Sequence, residues 1–116
     1  MTEQADEQVM LALTTEANRS TADALARTLL ERRLAACIAL QPQQALYWWD
    51  GEVQSTEEVQ LLIKCSGATV DALREAVHAL HSYDTPEWLV WSADSSVSYG
   101  TWIRGLPLPD AAAPAP

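Results

Sequence analysis

Two histidines and two cysteines are the side chains of this 116-residue sequence best suited to holding a soft or borderline cation. Their spacing offers little: His78 and His81 are three apart, neighbours on one helical face with two nitrogens between them, and no Cys-x-x-Cys or His-x-x-x-His pattern accompanies them. Sixteen Asp and Glu against seven Lys and Arg give a net charge of -9, which draws divalent ions loosely and repels phosphate backbones and anionic lipid heads. Nucleic acid and membranes are therefore poor partners. The segment Thr14-Thr15-Glu16-Ala17-Asn18-Arg19 precedes a helical pattern, and a helix N-terminus beside Arg19 can hold a small anion. An enzyme or small-anion binder at Arg19 is the rival reading, although Glu16 opposes an anion there. The Ser and His spacings form no triad and no glycine loop for a cofactor is present, so no catalytic set is expected.

The elements that position these groups read as one domain over residues 8–105. Residues 1–7 are acidic and Leu106 to Pro116 has Pro in four of eleven places, so both ends read as flexible tails. Gln8 to Thr15 is a short apolar strand. Ser20 and Asp23 have the spacing of a capping box, and Ala22, Leu25, Ala26, Leu29 and Leu30 follow at helical intervals, which predicts a helix over about 20–34. A strand bent at Pro42 then runs from Cys37 to Trp49, Asp50-Gly51 suits a tight hairpin, and Glu52 to Cys65 returns with Val59, Leu61, Ile63 and Cys65 on one face. Thr69 caps a second helix that stops near His81, Glu87 to Ala93 is a fourth strand, and Ser96 to Arg104 forms a short final helix.

This order is an α+β, ferredoxin-like plan of two split β-α-β halves, with two helices on one face of a four-stranded antiparallel sheet. The other face is left bare. Met10, Ala12, Leu62 and alternate residues of Trp88 to Trp91 are expected to point into it. Apolar faces of that size mark interfaces, and a hairpin ending in Trp48 and Trp49 carries residues favoured as interface anchors. A homo-oligomer follows, with Trp48, Trp49 and Leu62 in its interface. No apolar run approaches the roughly 20 residues that span a bilayer, and the acidic start is unlike a signal peptide, so a cytoplasmic protein with two reduced thiols is expected.

Four segments carry a resemblance: Arg33-Leu34-Ala35-Ala36-Cys37 after the first helix, Tyr47-Trp48-Trp49-Asp50-Gly51 at the hairpin, Glu58-Val59 through Ile63-Lys64 in the return strand, and His81-Ser82-Tyr83-Asp84-Thr85-Pro86-Glu87. In this order the sequence from about Val9 to Ile103 resembles the CutA family of divalent-cation tolerance proteins. The resemblance implies a homotrimer, similar in architecture to the PII signalling proteins, whose sheets face inward and whose arms reach onto neighbours. It implies copper or another divalent cation as the ligand, and no organic cofactor. Members that bind copper through side chains use a Cys late in the first strand and consecutive histidines before a Pro-Tyr pair. The matching positions here are Thr14 and Leu80, which leaves His81 as the metal candidate, with Ser82 in place of the Pro.

Lys64, Tyr83 and Glu87 also match family positions and come from the return strand and from the approach to the fourth strand, so they are candidates for an intersubunit pocket with Cys37. Lys64 alternates away from Ile63 and Cys65, onto the face between subunits, where it needs a ligand or an ion pair with Glu58 or Glu87. Cys37 reads equally as a small buried hydrophobe, as does Cys65.

Overall fold

A computed structural model describes residues 8–105; the two expected tails lie outside them. Strand β1 (Val9–Glu16) leads through Asn18 into helix α1 (Arg19–Glu31). The cap is Asn18, two residues earlier than the Ser20 box predicts: its backbone is extended at φ -156° and its Oδ1 accepts the Thr21 amide at 2.9 Å. Asp23 instead accepts from the exposed Arg27 at 2.7 Å, one turn on. The helix also ends early. Arg33 takes a left-handed φ of 63°, the Leu34 amide bonds to the Leu29 carbonyl and the Arg33 amide to that of Leu30, which closes the last turn and releases Leu34.

Strands β2 (Cys37–Trp49) and β3 (Glu52–Ser66) form one long antiparallel ladder. Pro42 does not break β2, because the sheet order β2-β3-β1-β4 puts that strand at the edge, where a missing N–H is tolerated. Asp50 and Gly51 have φ of 55° and 78°, the pair of positive values the hairpin turn requires. Helix α2 (Val70–Leu80) starts at Thr69, whose hydroxyl ties to the Leu34 carbonyl at 3.1 Å instead of capping, and ends at His81 as expected. Strand β4 (Leu89–Ala93) and helix α3 (Val97–Gly105) complete the domain.

The ladder register decides which side chains face the helices. Val59, Leu61, Ile63 and Cys65 do so, as expected, and join Leu25, Leu29, Leu73 and Val77 in the core. Met10 lies opposite Cys65 and Ala12 opposite Ile63. Both therefore belong to the helix side, which corrects the expectation that they point into the bare face; β1 is apolar on both faces, so its sequence does not fix the phase of its alternation. The bare face carries Leu62, as expected, together with Leu11, Leu13, Ala39, Leu89 and Trp91. Trp88 precedes β4 and packs against the core. Helix α3 shelters only one end of this second face, where Ile103 and Val9 are buried and the Lys64 ammonium reaches the Tyr99 hydroxyl at 3.3 Å. Leu89 and Trp91 stay 52% and 43% exposed, and on the arm Trp48 and Trp49 stay 73% and 67% exposed.

Cys37 and Cys65 are both free and occupy opposite faces of the sheet. Burial pushes the Cys65 thiol above its ordinary 9.0, against a smaller opposing hydrogen bond with Thr69. The unfolded chain then loses this proton first as pH rises, so the stabilisation is complete below about pH 9 and is lost above it. Urea melts of the wild type are expected to show midpoints that fall as pH rises from about 9 to 10. Cys65→Ala, less stable at every pH through its cavity, should lose most of that slope.

Candidate functional site

The end of β1 and the start of the segment after α2 are bound together by a polar cluster. The His81 side chain is fully buried; Nε2 lies 2.5 Å from the Thr15 carbonyl, which can only accept, so Nε2 carries the proton. Nδ1 then accepts the Tyr83 amide at 3.0 Å. Glu16, whose side chain is 2% exposed, accepts the Ser82 hydroxyl at 2.5 Å and the Ser82 amide at 3.1 Å, and stands 3.6 Å from His81 Nδ1. These bonds aim Tyr83 away from the core, with its ring 5.0 Å from that of His81.

Tyr83 faces a cleft of about 660 Å³ on the bare side of the sheet, at the root of the arm. Tyr47 and Trp49 line it from β2, Glu58 from β3 and Thr15 from the end of β1; Asp84, Thr85 and Glu87 close it from the segment before β4. The phenol of Tyr83 is raised above its ordinary 10.0, chiefly by burial and then by the nearby charges of Glu58 and Glu16. Three carboxylates and three aromatic rings thus share one concave surface.

Of the four residues expected in a pocket, Tyr83 and Glu87 line this cleft and Cys37 and Lys64 do not. Those two face each other across β2 and β3, and Lys64 lies opposite Leu11, four residues or about 13 Å along β1 from Thr15. Within the subunit Lys64 meets Tyr99 instead of Glu58 or Glu87, with its ammonium 5.6 Å from the ring centre. Glu58 accepts from Gln43 at 2.9 Å.

His81 has both ring nitrogens occupied, so a metal ion would reach it only by displacing the Thr15 or Tyr83 bond. His78 points elsewhere, bonded through Nδ1 to the Arg74 carbonyl at 2.8 Å and edge-on to Trp88. Among the described residues no group of three His, Cys, Asp or Glu stands close enough to share one ion. Arg19 borders a second cleft, of about 500 Å³, together with Glu57 and Glu58. Those carboxylates, and the Asn18 side chain already on the Thr21 amide, disfavour an anion there.

The family model described as CutA1 divalent ion tolerance protein matches residues 10–105. The chain belongs to the CutA1 family. The divalent-cation tolerance protein CutA of Pectobacterium atrosepticum is 41% identical over 97 residues, which cover 82% of this chain and 88% of that protein. The chloroplastic CutA 1 of Oryza sativa subsp. japonica is 35% identical over 89 residues, covering 75% of this chain and 50% of that longer protein. Among solved structures, CutA from Synechococcus elongatus superposes with a TM-score of 0.83 at 35% identity, covering 85% of this chain and 89% of that one. The family model and the Pectobacterium relative are thus named for tolerance of divalent ions and not for a reaction.

Tyr47, Asp84 and Thr85 line the cleft although the sequence shows them only as carriers of the resemblance, Trp49 lines it where an interface anchor is expected, and Glu16 holds the turn behind it. For Tyr47 and Trp49 a signal existed. A two-residue turn at Asp50-Gly51 pairs Trp49 with Glu52 and Gln43 with Glu58, so Trp49, Tyr47 and Glu58 share a face while Trp48 takes the other with Val53.

Proposed function

We propose that this chain acts as a homotrimeric, cytoplasmic binding protein in tolerance of divalent metal ions, taking cations or a small ligand at clefts between subunits. The observation that carries this reading is the acid-lined cleft at the root of an arm with an exposed apolar tip. Glu58, Asp84 and Glu87 supply negative charge on the sheet face that a neighbouring copy would cover. A neighbour's groups would have to complete any metal site, since one subunit brings no three ligands together among the described residues. The exposed Leu89 and Trp91 support the assembly, and the family's named role supports the cation.

Calorimetric titration of the whole protein with Cu²⁺ tests it. A stoichiometric heat is expected in the wild type and lost in the Glu58→Gln/Glu87→Gln variant. Loss in His81→Ala with full heat in the double variant would move the site to the histidine; absence of heat in the wild type would remove copper as ligand.

A further inference from the structure

We infer that the cleft at the root of the arm selects an organic cation, a small alkylammonium compound, through its aromatic walls as well as its carboxylates. The inference rests on the proposed cleft and narrows the class of its ligand. A bare divalent ion wants several oxygens converging on one point at about 2.0 to 2.6 Å, and among the described residues no three His, Cys, Asp or Glu side chains converge in that way. An alkylammonium ion has a diffuse charge and an apolar surface. It is matched by rings that present their negative faces and by carboxylates that need not touch it.

The cleft is lined by both rings and carboxylates. Tyr47, Trp49 and Tyr83 supply the rings, Glu58, Asp84 and Glu87 supply the charge, and no Lys, Arg or His stands among its described lining residues. Neither Asp84 nor Glu87 forms a salt bridge among the described residues. The volume of about 660 Å³ is in the range of small-molecule sites and exceeds what a hydrated metal ion would fill. The Glu16–Ser82 and His81–Tyr83 bonds hold the Tyr83 backbone in place, so this wall needs little ordering on binding.

Choline is a suitable probe because its quaternary nitrogen can neither donate a hydrogen bond nor coordinate. The full chain should bind choline with a change in tryptophan fluorescence and a calorimetric heat, and should bind the neutral tert-butyl isostere of choline about tenfold more weakly. Trp49→Ala should weaken choline by about tenfold at a mass unchanged by light scattering, which separates lost ring contact from lost assembly, and Glu58→Gln/Glu87→Gln should weaken it at least as much. Equal affinity for choline and the isostere, or no binding of choline at millimolar concentration, would overturn the inference. The Cu²⁺ titration in the same samples separates the two readings. Heat from Cu²⁺ that depends on Glu58 and Glu87, without any choline binding, would leave the cleft standing and refute its organic ligand.

Discussion

Glu16→Ala is expected to destabilise the subunit by about 3 kcal/mol or more. The carboxylate is buried and accepts both the hydroxyl and the amide of Ser82, with the Ala17 amide at 3.3 Å. Truncation leaves the Ser82 amide without its carboxylate partner and adds a cavity beside α1, where Glu16 already borders a pocket with Leu25, Thr28 and Leu80. Glu16→Gln is the informative companion. It keeps the volume, but one oxygen becomes an NH₂ that must face either the Ser82 or the Ala17 backbone N–H, so roughly half the loss should remain. Denaturant midpoints measure the loss. Proton exchange at the Tyr83 amide measures its reach, and should quicken because the turn that holds this amide on His81 depends on the same cluster. A Glu16→Ala protein as stable as the wild type would mean that the cluster contributes nothing to the fold.

Leu62→Asp is expected to leave the subunit folded and to break its assembly. Leu62 lies mid-sheet on the bare face, opposite Leu13 on one side and Ala39 on the other, and points away from the core that Leu61 and Ile63 fill. Within one subunit its side chain is only half-buried, so the fold tolerates a polar group there. Against a second copy the same carboxylate would be stripped of water, and the cation on this face, Lys64 two residues on, is already turned to the Tyr99 hydroxyl. Loss of the leucine's burial alone is worth about 2 kcal/mol per subunit, and the stranded charge adds several more. Light scattering should show the variant at the mass of one chain, with a circular dichroism spectrum like that of the wild type. A variant of unchanged mass would show that this part of the face is not in the interface.

The fold was largely legible because its signals are local and agree with one another. Asp50-Gly51 demanded the hairpin, the three-and-four spacing of Leu25, Leu29, Leu73 and Val77 demanded the helices, and Val59 through Cys65 alternated cleanly. What failed was phase and closure. Met10 and Ala12 lie on the face opposite to the expected one because β1 is apolar on both sides, and only pairing with β3 chooses between them. The α1 boundaries shifted because Asn18 outcompetes Ser20 as a cap and Arg33 accepts a left-handed turn without glycine. The site was half legible. Tyr83 and Glu87 sit in a recognisable segment and meet in one cleft, whereas Cys37 and Lys64 lie farther along the ladder within the same subunit, and only a neighbouring copy could bring them to it. Glu16 carried no signal, since a glutamate after two threonines reads as loop until Ser82 and His81 fold onto it, 66 and 65 positions away in sequence.

The proposed interface and the proposed cleft between subunits both require further copies of the chain to cover the exposed sheet face. Static light scattering of the full-length protein at micromolar concentration tests this directly. A folded species at three times the chain mass of 12.7 kDa is predicted; a folded, soluble species at 12.7 kDa would contradict it.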